Sequence, residues 1–219
     1  MTKRLFDDNP YDSFFYAKVI YVGSDYVVLD QTLFYPLSGN QQFDKGTLNG
    51  IEVTFVEVDN KHDNLLDFNS PIKHFVDISS FKVGQKVEGI IDINSRRKTM
   101  RLHTASHIVE YFVKQMDDFI SVEGSFVNDE KDRTDYRLAK NLVTETLKQL
   151  EDNVNKFIET SKEITFKQDG NIRNWYCGGI KMPCCGTHVN NTAEVGKIIL
   201  SRKNKGKGIN RIEIHLENE

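Results

Sequence analysis

Residues 101–116 read Arg101-Leu102-His103-Thr104-Ala105-Ser106-His107-Ile108-Val109-Glu110-Tyr111-Phe112-Val113-Lys114-Gln115-Met116. Leu102, Ala105, Val109, Phe112 and Met116 recur at spacings of three and four, the apolar stripe of an amphipathic helix. At about 100° per residue, His103 and His107 share one face and lie nearly opposite the centre of that stripe. They are therefore not expected to be core histidines. Arg101 falls near the edge of the stripe, so the helix is expected to pack from about its second turn.

Upstream of residue 96 the period is two rather than 3.6. Phe15, Ala17, Val19 and Tyr21 alternate with other residues before a Gly23-Ser24-Asp25 turn. Tyr26–Leu29, 51–58, 73–77 and 87–93 follow as further short strands, a pattern that predicts a small barrel. Downstream, Leu138, Leu142, Leu147, Leu150, Val154 and Phe157 mark a second helix, and strands return at 164–167, 195–201 and 209–216. In the last strand Ile212, Ile214 and Leu216 are expected inward and Arg211, Glu213 and His215 outward. The fold class is thus α+β, with a β-barrel domain over 1–95 and a domain over 96–219 whose helices pack on an antiparallel sheet.

The chain has 219 residues, 38% apolar and 28% charged, so disorder is excluded as the dominant state. No apolar run approaches the roughly 18 residues needed to cross a bilayer, and acid at Asp7 and Asp8 interrupts the start before a signal core forms. A cytoplasmic protein without a membrane partner is expected. Residues 1–95 carry 8 Lys/Arg against 14 Asp/Glu, whereas 96–219 carry 21 against 18. An anionic partner is expected to meet the second half.

Cys177, Cys184 and Cys185 are odd in number and too close for a disulfide framework. Clustered reduced thiols point to metal. His103 and His107, one helical turn apart, offer two imidazoles together. Cys184-Cys185-Gly186-Thr187-His188 adds a thiol and an imidazole at Cys-x-x-x-His spacing. Three His and one Cys make a tetrahedral set that zinc prefers. Cys184 is the ligand candidate, Cys185 points elsewhere and Cys177 is packing; His62, His74 and His215 read as surface residues.

These residues resemble a known family. Phe34-Tyr35-Pro36-Leu37-Ser38-Gly39-Asn40-Gln41 with Asp44 and Gly46, then the two metal motifs, then Gly208-Ile209-Asn210-Arg211-Ile212, are similar in order and content to the editing domain of alanyl-tRNA synthetase. More closely, the chain resembles the free-standing AlaX proteins of medium length. The resemblance implies a zinc-dependent deacylase, one ion per chain, that hydrolyses the ester of mischarged tRNA(Ala), chiefly seryl-tRNA, without ATP. Three positions depart from the family pattern. Asn40 replaces a glycine, Cys185 replaces a glycine, and Val122 in Val122-Glu123-Gly124-Ser125 stands where bacterial domains commonly carry Gln. Asn tolerates positive φ and Cys does not, so Cys185 bears on whether its turn keeps the family's backbone path.

Four ligands would close a tetrahedral zinc. Either one, His188 first, is displaced, or zinc holds the substrate's amino group or the pocket while water is activated elsewhere. Thr104, about 60° around the helix from His107, is the candidate hydroxyl that reads serine, with Gln41 next; both are assigned to the catalytic site. Arg202, Lys203, Lys205, Lys207 and Arg211 form a basic loop expected to touch RNA. Arg96, Arg97 and Lys98 crowd a helix start, where a phosphate partner would offset their repulsion with the dipole. The rival readings are a non-catalytic tRNA-binding module with a structural zinc and a deacylase for another mischarged tRNA.

Overall fold

The computed structural model describes residues 1–59, 70–170, 172–206 and 208–217. The chain divides into two compact units, Met1–Arg97 and Lys98–Glu219. Strands outnumber helices in both, and the class is α+β.

The first unit runs β1 (Lys3–Arg4), α1 (Leu5–Asp8), β2 (Phe14–Val22), β3 (Tyr26–Leu29), β4 (Gln31–Thr32), β5 (Gly46–Leu48), β6 (Ile51–Val53), β7 (Phe55–Val58), β8 (Ile72–Phe75) and β9 (Lys86–Ile91). Seven of these form an antiparallel sheet in the order β6-β5-β9-β2-β3-β8-β7. Its two edge strands are consecutive in sequence and separated by Thr54 alone, so the sheet curls until it is nearly closed. The single strand expected over 51–58 is therefore two. Phe15, Ala17 and Val19 alternate inward on β2 and meet Val27, Leu29, Phe34, Tyr35 and Val56 in the core.

Ser38 and Gln41 pair across Gly39 and Asn40, whose φ values are +54° and +62°. Positive φ at both central residues is what a type I′ turn needs, and Asn meets it where most side chains would be strained. Gln41 is fully buried.

Two expectations for this unit are corrected. His74 is not a surface residue: it lies on the inner face of β8, bonded to Thr32 Oγ1 at 2.8 Å and edge-on to Phe34. Burial pushes its pKa down to about 4, so it is a neutral core imidazole. His62 falls outside the described residues. Arg96 is not a phosphate contact either, being 1% exposed. Its guanidinium grips both oxygens of Asp44, donates to the Leu33 carbonyl and reaches Pro10 O at 3.2 Å. Asp44 in turn accepts from Tyr35 N. Arg97 remains exposed, over the Tyr11 ring.

Helix α2 (Ile93–Val113) begins in the first unit and continues in the second. Ser95, Arg96, Thr99 and Met100 are already buried, so it packs from its first turns rather than from the second. Arg101 donates to Val195 O at 2.9 Å.

Then come β10 (Phe119–Val127), β11 (Asp132–Leu138), α3 (Thr144–Glu159), β12 (Ile164–Asp169), β13 (Ile172–Cys177), β14 (Ile180–Pro183), β15 (Ile198–Gly206) and β16 (Ile209–Leu216). They make two antiparallel sheets, β10-β11-β16-β15 and β12-β13-β14. Leu138 belongs to β11 and not to the second helix, and Met116 lies beyond the end of α2. Phe112 of α2 meets Phe157 of α3 edge to face at 6.1 Å.

Strand β15 is an edge, and α3 covers part of it. Asn155 pairs through its amide with both backbone groups of Ile198, and Glu151 accepts from Leu200 N. Polar partners on unpaired strand groups blunt an edge that would otherwise recruit another strand.

Arg96→Ala should destabilise the fold by about 3–5 kcal/mol, because Asp44 would be left as a buried charge without its partner. Arg97→Ala should stay within about 0.5 kcal/mol of the wild type. Urea unfolding of the two variants checks the contrast.

Candidate metal centre

Side chains from α2 and from the segment after β14 converge in the second unit. The donor atoms of His103, His107, Cys184 and His188 all lie within 4.8 Å of one another. Cys184 Sγ is 3.6 Å from His103 Nε2 and 3.2 Å from His188 Nε2. The rings of His103 and His188 stand 4.2 Å apart, and those of His107 and His188 stack at 4.8 Å.

The helical face opposite the apolar stripe is not open to solvent. His103 and His188 are buried, while His107 and Cys184 are half-buried. The stripe covers one side of α2; Trp175 of β13 and His188 cover the other. That corrects the expectation that the histidines avoid the core: the helix is enclosed on both faces.

Several contacts hold the Cys184–His188 segment in place. Cys184 N donates to Arg173 O at 2.8 Å, and Arg173 Nη1 donates to Gly186 O at 2.9 Å. The same guanidinium lies 3.6 Å above the Phe166 ring. Gly186 N donates to Cys184 Sγ at 3.3 Å, a contact that favours thiolate. Cys185 is absent from the residues with positive φ, so the segment accommodates it without backbone strain.

Thr104 is fully buried, not an exposed helix residue. Its hydroxyl is hydrogen-bonded to His188 Nδ1 at 3.1 Å and accepts from Val189 N at 3.4 Å. The hydroxyl therefore sits behind His188, on the ring nitrogen that faces away from the sulfur.

Burial dominates the titration of the four groups. His103 and His188 are held well below their ordinary pKa, first by desolvation and then by the neighbouring imidazoles and Arg173. Desolvation takes His107 down to about 4 and pushes Cys184 up to about 12. The imidazoles are thus neutral, with lone pairs available. The thiol needs a nearby cation to ionise. His107 Nε2 is buried and has no hydrogen-bond partner among the described residues, as a ligand atom awaiting an ion would be.

The remaining expected site residues are distributed differently. Arg202, Lys203 and Lys205 lie within β15 rather than on a loop; alternation puts Arg202 on the face opposite Lys203, and Lys205 sits where the register shifts between Asn204 and Gly206. Lys203 pairs with Glu213, which also receives Lys131 and is buried beneath the two ammonium groups although it faces outward. Arg211 makes a two-point contact with Asp135 at 2.7 and 2.8 Å. Lys207 falls outside the described residues. Val122 lies on β10, where the register shifts before Gly124. Cys177 is buried in β13, between Ile164 and Ile180.

Sequence alternation missed two buried polar residues beside the centre. Arg173 sits in β13, where Arg173, Asn174 and Trp175 are all buried and no period-two signal survives. Asp132 of β11 is 2% exposed and bonded to Thr134 and to Ser106, the residue just before His107.

Known proteins place this arrangement. Residues 7–95 match the family described as tRNA synthetases class II (A), and residues 176–213 match the threonyl and alanyl tRNA synthetase second additional domain. The alanyl-tRNA editing protein AlaX-M of Pyrococcus horikoshii is 33% identical over 99% of both chains. The chain belongs to the AlaX family of alanyl-tRNA editing proteins. Alanine–tRNA ligases are related too, that of Methanococcus vannielii at 32% and that of Ignicoccus hospitalis at 30% identity over 97% of this chain. The chain spans 26% of the length of each ligase.

Burial raises the Asp132 carboxyl from 3.8 to about 7, with Glu110 adding to the shift and Ser106, Thr134 and Arg133 opposing it. A folded pKa above the unfolded one means that Asp132's own contribution to stability is fully present below about pH 4 and is lost as pH rises through about 7. Asp132→Asn should therefore be more stable than the wild type above pH 7, the advantage fading toward pH 4. Thermal unfolding across that range checks the sign.

Proposed function

We propose that this chain is an aminoacyl-tRNA deacylase that hydrolyses mischarged tRNA(Ala), chiefly seryl-tRNA(Ala), at a zinc centre held by His103, His107, Cys184 and His188. The convergence of those four donor atoms within 4.8 Å carries the reading. Zinc bonds of about 2.0–2.1 Å to nitrogen and 2.3 Å to sulfur imply tetrahedral edges of roughly 3.3–3.6 Å, close to the sulfur–nitrogen separations here. Membership of a family named for alanyl-tRNA editing supplies the substrate class.

The aminoacyl ester is already activated, so the protein's task is to position it, select it and admit water. Zinc in this site supplies a Lewis acid for the substrate. With Nε2 of His188 turned to the metal, its Nδ1–H donates to Thr104, which sets the tautomer and the ring plane. Arg173 fixes the segment that carries two of the ligands. Thr104, assigned to the catalytic site by its sequence position, is proposed as a positioning residue acting through His188, and Gln41 remains a proposed catalytic-site residue. Lys203, Lys205, Arg202, Lys207 and Arg211 are proposed to meet tRNA phosphates, in a cytoplasmic protein with a β-barrel domain over 1–95 and an editing domain over 96–219.

Purified protein should deacylate seryl-tRNA(Ala) without ATP and faster than alanyl-tRNA(Ala) or seryl-tRNA bodies of other identity. Inactivity on all charged tRNAs with full zinc content would favour a structural zinc in a binding module; preference for another mischarged tRNA would change the substrate. Elemental analysis should find one zinc per chain, lost in Cys184→Ala and kept in Cys177→Ala. Thr104→Val should weaken zinc binding about 10–100-fold, measured by chelator competition, because the outer hydrogen bond to His188 is gone.

A further inference from the structure

Trp175 occupies β13, the central strand of β12-β13-β14, flanked in register by Phe166 and Met182. It is fully buried. Its ring lies 5.1 Å from that of His107 and 5.9 Å from that of His188, so it forms part of the wall of the ligand cluster. The indole Nε1 is buried and has no hydrogen-bond partner among the described residues. Indole N–H can only donate, and a buried donor without an acceptor costs free energy that a fold rarely leaves unrecovered. Two such nitrogens border this centre, His107 Nε2 and Trp175 Nε1. A metal satisfies the first, since imidazole nitrogen is a ligand. It cannot satisfy the second.

What satisfies an indole N–H is an oxygen acceptor. The proposed substrate and the product it must spare differ by one such oxygen: a seryl ester carries a hydroxyl one bond beyond Cβ, and an alanyl ester carries none. The hydroxyl of Thr104 is already committed to His188 Nδ1 and Val189 N. The indole ring stands 5.1 Å from that of half-buried His107, so the ring and the ligand cluster are direct neighbours. We propose that Trp175 Nε1–H donates to the serine hydroxyl and is a specificity-determining residue of this site. The inference rests on the editing reading and deepens it. A seryl substrate pairs the buried donor; an alanyl substrate leaves it unpaired, which is the strong form of rejection open to a polar pocket.

The chain has one tryptophan, so a ¹⁵N-labelled sample gives a single indole signal. The zinc-loaded protein is titrated with 3′-seryl-amino-3′-deoxyadenosine and with its alanyl counterpart, whose amide links resist hydrolysis. The seryl compound should move the indole proton downfield and slow its exchange with solvent; the alanyl compound should do neither. In a second arm Trp175 is replaced by 3-benzothienylalanine, which keeps the two-ring shape with sulfur in place of N–H. Zinc content and fold should be retained, and the ratio of seryl- to alanyl-tRNA deacylation should fall about two- to tenfold, the factor for one ordinary hydrogen bond. Binding of the seryl compound with an unmoved indole signal would overturn the proposal, as would a wild-type ratio in the benzothienyl protein. If neither compound binds and no charged tRNA is cleaved, the editing reading itself fails and this assignment falls with it.

Discussion

Three imidazoles and a thiol share a desolvated space between α2 and the segment that follows β14, and the second unit is arranged around that constraint. Neutral imidazoles tolerate burial, and desolvation keeps all three deprotonated. The thiol also stays neutral until a cation arrives, because an isolated buried thiolate is costly. The cluster is therefore stable as a set of uncharged groups and becomes a strong ligand set only when an ion is present, which couples metal binding to proton release.

Holding the cluster requires control from behind. Thr104 fixes the far nitrogen of His188, Arg173 ties both ends of the Cys184–Gly186 turn, and Phe166 carries the guanidinium on its face. These residues come from one helix and from the antiparallel hairpins of β12, β13 and β14. Rigid elements set ligand positions more closely than a free loop does. The irregular stretch after Pro183 acquires that rigidity through its hydrogen bonds to them.

The two units treat buried charge in contrasting ways. Arg96 reaches four acceptor atoms, and Asp44 receives a backbone N–H besides, so both charges are compensated. Among the described residues the Asp132 carboxyl is hydrogen-bonded by the hydroxyls of Ser106 and Thr134, with Arg133 acting only through space, and burial moves it up to about 7. The difference lies in the donors: a guanidinium brings opposite charge into the interior, whereas hydroxyls bring dipoles alone.

Local chemistry was legible in the residues themselves. The alternation of β2 and β16, the apolar stripe of α2 and the one-turn spacing of His103 and His107 all follow from covalent geometry, since strand and helix periods do not depend on the rest of the chain. The cysteine–histidine pair was legible by residue type and close spacing, since thiol and imidazole are the ligands zinc prefers. Burial was not. His74 and Arg96 carry the residue types of a surface, yet strand pairing turns one inward and Asp44 draws in the other. Strand β13 shows no alternation because it is covered on both faces, which hid Arg173 and Trp175. Sequence spacing thus determined which side chains share a face. Tertiary structure decided what that face meets, because the partner of a buried atom comes from segments distant along the chain: Thr104 finds His188 84 positions away, and the Trp175 indole N–H has no hydrogen-bond partner among the described residues.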